Sequence, residues 1–308
     1  MKIQILMSTY NGEKYLREQL DSIAGQTIKN IKLTIRDDGS SDNTIKIIQE
    51  YQKRYSWIFF VQGEHVGVQK SFLDLIFHAD PDCDYVALSD QDDVWYLDKL
   101  EQAVKCMSNK DINTPLLYCS DKHIVGRDLK PLNVSVSRTV RKITFGNALV
   151  QCICTGCTAV INQKMVGLLK ENPPIYPEHI IMHDWWLYLT AACFGEVYYD
   201  ERSYIQYRQH GKNTSGAMLS KRDLLKYRLT QLHKPRGDIY RQIACFRESY
   251  KSLLKIERYG KNLILLEQLL FSEKSMRAKL CVATNRKLFR QRIEDDLVFR
   301  FIVLIGKL

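Results

Sequence analysis

Three carboxylates fall within four residues at Asp90-Gln91-Asp92-Asp93, directly after the apolar run Tyr85–Leu88. Like charges this close disfavour one another unless a cation or a solvated loop absorbs them. Hard divalent ions such as Mg²⁺ or Mn²⁺ take carboxylate oxygens and leave positions open for phosphate. Alone, the run has two readings. It is a carboxylate pair at i, i+2 that holds such an ion against a diphosphate, or an N-cap cluster for a helix beginning near Leu97. Asp37-Asp38-Gly39-Ser40 is a second acidic turn. Gly39 and Ser40 suit a turn with a helix cap, and a carboxylate there also suits the imide N–H of uracil or thymine. Ser8-Thr9-Tyr10-Asn11-Gly12 adds hydroxyls and backbone amides.

Repeated strand and helix patterns must position these loops. Lys2–Met7 is a short apolar strand, followed by Leu16, Leu20 and Ile23 at helical spacing. Ile31–Ile35 is a second strand, and Ser41 or Asp42 is a good N-cap for a helix with Ile45, Ile48 and Tyr51 on one face. Trp57–Val61 and Tyr85–Leu88 read as further strands, with Val68–Phe77 a helix between them. Strand–helix units of this length call for a parallel sheet with helices on both faces. Ligands bind beyond the C-terminal strand ends of such sheets, where all three loops fall. After Leu100 the pattern loosens: Leu116–Cys119 and Thr158–Ile161 look like strands, Asp184–Phe194 a helix, and Val197–Tyr207 a long extended segment. From about Leu219 the texture becomes long, basic and helical, which puts a boundary near Gly216–Ser220.

Ser8-Thr9-Tyr10-Asn11-Gly12, Asp37-Asp38-Gly39-Ser40-Ser41-Asp42 and Ser89-Asp90-Gln91-Asp92-Asp93-Val94-Trp95 resemble the successive signatures of family 2 inverting glycosyltransferases of the GT-A fold. The Ser-Asp-Gln-Asp-Asp-Val-Trp variant is similar to a bacterial branch rich in rhamnosyltransferases of surface polysaccharide synthesis: rhamnans, O-antigens and capsules. The resemblance covers roughly residues 1–216. It implies a GT-A, Rossmann-like, mostly parallel sheet flanked by helices, with a donor half over about 1–100 and an acceptor half over about 101–216. A basic helical region over 217–308 follows.

The same resemblance implies roles. Ser8, Thr9, Tyr10 and Asn11 with Asp37 and Asp38 form the nucleotide pocket, Asp38 pairing with the pyrimidine N3–H. Lys70 stands near the diphosphate, or is a surface lysine on the third helix. Asp92 is the direct ligand of Mn²⁺ or Mg²⁺, Asp90 contacts ribose or the metal, and Asp93 caps the next helix. Inverting transfer needs one base for the acceptor hydroxyl. Asp184 in His183-Asp184-Trp185-Trp186 occupies that place, although the family's preceding Glu is here His183. Asp184 also reads as a plain N-cap. Trp185 and Trp186 offer apolar walls to an acceptor sugar, with core packing the equal alternative for at least one of them, and Gly156 lies under that site. Tyr207-Arg208-Gln209-His210-Gly211-Lys212-Asn213 resembles the late motif in which a His closes over metal and diphosphate. That makes His210 a metal ligand and Arg208 or Lys212 phosphate contacts. Cys152-x-Cys154-x-x-Cys157 lacks a fourth zinc ligand, so structural cysteines in a buried strand pair are expected.

The 308 residues carry a net charge of +10 and 45% hydrophobic residues, a globular composition. The charge is uneven: residues 217–308 hold 21 Lys and Arg against 9 Asp and Glu. Basic helices with apolar faces fit an anionic membrane surface, a packed bundle, or a homo-oligomer. No run approaches the ~20 apolar residues of a spanning helix. Nine scattered cysteines and no signal peptide point to a reducing compartment, the cytoplasm, and the basic helices to a peripheral place on the inner face of the plasma membrane. The implied partners are a dTDP- or UDP-linked sugar and a glycan or lipid-linked acceptor. A nucleotidyltransferase would show a Gly-rich basic loop after the first strand, whereas Ser8–Lys14 has one glycine. A nucleic-acid-binding role leaves three acidic loops unexplained and shows no motif.

Overall fold

A computed structural model of the chain describes residues 1–132, 140, 142–210 and 237–308. The expected boundary at Gly216–Ser220, and Lys212, Asn213, Lys221, Arg222, Lys226 and Arg228, lie outside the described residues.

Among the described residues one sheet has the order β3-β2-β1-β4-β7-β6-β8-β5. Its strands are β1 Ile3–Thr9, β2 Ile31–Asp37, β3 Ile58–Gln62, β4 Tyr85–Ser89, β5 Val94–Trp95, β6 Leu116–Val125, β7 Val160–Asn162 and β8 Glu196–Arg208. The β3-β2-β1-β4 half is parallel throughout, as strand–helix–strand repeats require. Beyond β4 the sheet is mixed. β7 runs antiparallel between β4 and β6, β6 pairs parallel with β8, and β5 closes the edge antiparallel to β8. The architecture is thus a GT-A-like, mostly parallel sheet flanked by helices, followed by a helical C-terminal region.

Side-chain alternation divides the interior in two. Ile3, Ile5 and Met7 of β1 face one core, with Leu16, Leu20 and Ile23 of helix α1 (Leu16–Ala24) and Ile47 and Ile48 of α2 (Thr44–Arg54). Leu6 faces the other, with Phe72 and Ile76 of α3 (Val68–Phe77). Both faces of β1 are buried, which explains its largely apolar run, interrupted only by Gln4, whose Nε2 donates to Thr34 Oγ1 at 2.8 Å. Helices α4 (Lys99–Met107), α5 (Phe145–Ala148) and α6 (Gln163–Glu171) precede α7 (His183–Phe194).

The C-terminal helices join the second core. Tyr240, Ile243 and Phe246 of α8 (Asp238–Ser249) pack on α7, with the Phe246 ring 5.4 Å from Trp186 and Tyr250 4.9 Å from Phe194. The short α9 (Lys251–Leu254) leads to α10 (Gly260–Phe271), α11 (Met276–Thr284) and α12 (Ile293–Leu304). Among the described residues no helix is long and apolar enough to cross a membrane. None of the nine cysteines is joined in a disulfide.

Candidate active site

The order β2-β1-β4 sets the three loops of the sequence side by side. Ser8 and Thr9 pair in register with Arg36 and Asp37, while Met7 pairs with Ser89. Cross-links then fix the loops. Asn11 Oδ1 accepts from the Ser41 amide at 2.8 Å, and the Asn11 amide donates to Ser40 Oγ at 2.8 Å. Gln91 grips the Tyr10 main chain at both ends: its Oε1 accepts from the Tyr10 amide and its Nε2 donates to the Tyr10 carbonyl, each at 3.0 Å. These loops floor a cleft of ≈ 1140 Å³ that contains Ser8, Tyr10, Asp38, Asp90, Asp92 and Asp184. Asn11, Gly156, Trp185 and His210 also line it.

Asp38 is buried and well used. Its oxygens accept from Arg36 Nη1 at 2.5 Å, the Val66 amide at 3.0 Å and the Gly67 amide at 2.8 Å, with His65 Nδ1 3.0 Å away. Burial alone raises its pKa, but the Val66 and Gly67 amides and the Arg36 guanidinium outweigh that and hold it below the usual carboxylate range. The Tyr10 and His65 rings lie 4.3 Å apart beside it.

The two sides of the acidic run behave differently. Asp92 Oδ2 meets His210 Nε2 at 2.7 Å across 118 residues of chain, and the His210 ring stacks on Tyr15 at 4.9 Å. Asp90 has its carboxyl pushed up to about 7, first by burial and then by the fields of Asp92 and Asp184, with Lys122 opposing. The donor atoms of Asp90, Asp93 and Cys157 lie within 4.8 Å of one another. Asp93 Oδ2 has no hydrogen-bond partner among the described residues, and burial and Asp90 raise its pKa far above normal. Such an excess of carboxylate with an orphaned oxygen, beside a carboxylate–imidazole pair, suits a divalent cation of the Mg²⁺ or Mn²⁺ kind.

Asp184 enters the cleft from the first turn of α7. Its Oδ2 accepts the Gly156 amide at 3.1 Å. Gly156 is required there by space: a Cβ would lie 2.6 Å from His183 Nε2. The His183 ring is buried, stacks on Phe72 at 4.3 Å and is kept neutral by burial, which lowers its pKa. The position that departs from the family's Glu is therefore filled by a packed, uncharged wedge.

Several expectations change. Asp93 does not cap the following helix: β5 intervenes, Asp98 precedes α4, and Asp93 is buried under the loop, accepting the Arg208 amide at 3.1 Å. Arg208 is not aimed at phosphate. Its guanidinium is buried, donating to the Asp92 carbonyl at 2.8 Å, the Arg127 carbonyl at 2.6 Å and Glu18. Trp186 is fully buried against α8 and offers no acceptor wall, whereas Trp185 lines the cleft with its Nε1 donating to the Ala148 carbonyl at 2.7 Å. Lys70 is exposed on α3 and does not line the cleft. Asp37 and Thr9 are buried behind it, Asp37 taking the Thr9 hydroxyl at 3.0 Å and the Ser40 amide at 2.8 Å as a turn staple. Cys152 and Cys154 lie in a loop and Cys157 in a 3-10 turn, not in a strand pair.

Several cleft residues escaped the sequence, Lys122 and His65 among them. Lys122 on β6 sits 3.8 Å over the Tyr207 ring of β8, opposing the charge at Asp90; nothing local distinguishes it from any strand lysine. His65 lies in the loop after β3, which holds none of the three motifs read from the sequence.

Comparisons with known proteins agree with this architecture. The profile of glycosyl transferase family 2 matches residues 4–167. A dTDP-rhamnosyl transferase, RfbG, of Shigella flexneri is 32% identical over 222 residues, 70% of this chain and 75% of that protein. A glycosyltransferase of Rickettsia typhi is 25% identical over 224 residues, 71% and 67% of the two chains. Residues 1–349 of S. aureus TarS, solved with UDP-GlcNAc, share the fold with a TM-score of 0.57 at 17% identity, covering 99% of this chain and 91% of that one. The Pyrobaculum calidifontis mannosyltransferase PcManGT, solved with GDP-Man and Mn²⁺, gives a TM-score of 0.50 at 16% identity, covering 99% and 86%. With more than half of its length matched by the profile and a relative above 30% identity across most of both chains, this chain belongs to glycosyl transferase family 2.

Proposed function

We propose that this glycosyltransferase moves a sugar with inversion from a nucleoside-diphosphate donor to a glycan or lipid-linked glycan, with L-rhamnose from dTDP-rhamnose as the favoured donor. The observation that carries the reading is a single one. One cleft gathers Asp184, held by the Gly156 amide, with Asp90, the Asp92–His210 pair, and Tyr10 beside Asp38. In this reading Asp184 accepts the proton of the attacking acceptor hydroxyl, as a base held by one fixed hydrogen bond can. Asp92, His210 and Asp90 would hold Mn²⁺ or Mg²⁺, which offsets the charge developing on the leaving diphosphate. Ser8, Tyr10 and Asn11 face the nucleoside, and Asp38 would take the pyrimidine N3–H by exchanging the exposed His65 contact. Trp185 and Gly156 border the acceptor side. The rhamnosyl preference rests on the Shigella relative; a UDP-hexose donor is the alternative. The catalytic unit would span about 1–216, with 217–308 as its helical appendage.

A panel of dTDP- and UDP-sugars tests this by donor hydrolysis and transfer with Mn²⁺, Mg²⁺ or chelator. Metal-stimulated turnover of dTDP-rhamnose, abolished in Asp184→Asn with nucleoside-diphosphate binding kept, is expected. Loss of that binding in Asp184→Asn would make Asp184 structural, and no turnover of any donor would overturn the reading.

A further inference from the structure

The C-terminal hairpin of α11 and α12 leaves an apolar stripe uncovered among the described residues. On α12, Ile293, Leu297 and Phe301 recur every fourth residue and are 56%, 62% and 56% exposed, with Ile305 continuing the line. Met276 and Leu280 repeat the pattern on α11. Folding would normally bury a helix face of this kind, and single exposed apolar residues are ordinary where a continuous row is not. The opposite face of α12 is satisfied: Phe299 and Val303 are in the core, and Arg300 ties Asp296 at 2.9 Å. Among the described residues the stripe is therefore surplus to packing.

We propose that this stripe docks onto an anionic lipid bilayer. Its surroundings argue for that occupant. Residues 271–308 hold nine Lys and Arg against four Asp and Glu, and Lys274, Arg277, Arg286 and Lys287 are exposed. A symmetric contact with a second copy would set this net positive segment against itself, whereas anionic headgroups complement it. α12 spans 12 residues, about 18 Å, too short to cross a bilayer and long enough to lie in its interface. The same segment contributes Arg290, Ile302 and Lys307 to the cleft wall. A bilayer on the stripe thus lies within about one helix diameter, ~10 Å, of the cleft. Resting on the proposed transferase function, this makes a membrane-anchored acceptor the class delivered to Asp184.

The test is co-sedimentation of the full chain with vesicles of phosphatidylglycerol and phosphatidylcholine, or of phosphatidylcholine alone. Binding to the anionic vesicles is expected, weakened by salt and at least about tenfold weaker in L297S/F301S. Donor hydrolysis in that variant should be unchanged, since neither residue touches the cleft, which also verifies folding. Failure of the wild type to bind, or equal binding by the variant, overturns the proposal. So does a concentration-dependent dimer that the variant abolishes without vesicle binding, which would identify a second copy as the occupant. Donor turnover without vesicle binding would leave the transferase function standing and the docking refuted; vesicle binding without turnover would do the reverse.

Discussion

Gly156→Ala probes the geometry on which catalysis is proposed to depend. The added methyl would lie 2.6 Å from His183 Nε2 and 3.3 Å from its Cε1, about 1 Å inside the 3.5–4.0 Å optimum of a nonbonded contact. The imidazole has little room to yield, because it is buried and stacked on Phe72 at 4.3 Å. The strain therefore passes to the start of α7 or to the Gly156 turn, and either movement displaces Asp184 from the amide that holds it at 3.1 Å. Overpacking of this kind costs about 1–3 kcal/mol of stability. A misplacement of about 1 Å costs on the order of 10²-fold in rate. The expected result is a loss of transfer kcat of that order, with nucleoside-diphosphate affinity within a few-fold of wild type by calorimetry. Adding His183→Ala to the variant removes the clashing ring and should recover part of the lost rate. Wild-type kcat in Gly156→Ala would refute the argument, as would a double variant no better than the single one.

Asp92→Ala should weaken nucleoside-diphosphate binding at least about tenfold, ~1.4 kcal/mol, in the presence of Mn²⁺ and hardly at all in chelator; equal losses in both would remove Asp92 from the metal site. Asp38→Asn should cost about 2–3 kcal/mol at pH 7 in urea unfolding, less than a fully broken buried pair because Asp74 stays 3.2 Å from Arg36. The Asp38 pKa is lowered on folding, so its contribution is present at neutral pH and lost as pH falls below about 4. The stability gap between wild type and variant should therefore close in acid, and a gap independent of pH would show that Asp38 does not act through its charge. Trp186→Ala should destabilise by about 3–5 kcal/mol through the cavity left beside Phe246 and Tyr250; a surface acceptor role would instead leave stability intact and raise acceptor KM.

The β1, β2 and β4 strands and the α1–α3 helices between them were legible because their signals are local. Apolar period, turn residues and strand-end loops all fall within a few residues of one another. The acidic loops were legible for the same reason, and parallel topology then makes them neighbours with no further information. The resemblance of three ordered motifs carried the family, and His210 and Asp184 came with it. What escaped depends on contacts between distant segments. Asp93 and Arg208 read as a helix cap and a phosphate contact, since their positions suit those roles. Only the pairing of β5 with β8 buries both and turns them on each other and on the Asp92 carbonyl. Trp185 and Trp186 are adjacent in sequence and alike in chemistry, yet one lines the cleft and the other is core, because successive helical residues diverge by about 100° and α8 covers only the second. Lys122 comes to oppose the charge at Asp90 only because β7 joins β6 to β4 in a mixed sheet. From this chain's sequence alone came the chemistry available at the strand ends. Tertiary packing decided which of those groups face the cleft and which are spent holding it in shape, because burial and partner choice are settled by segments far apart in the chain.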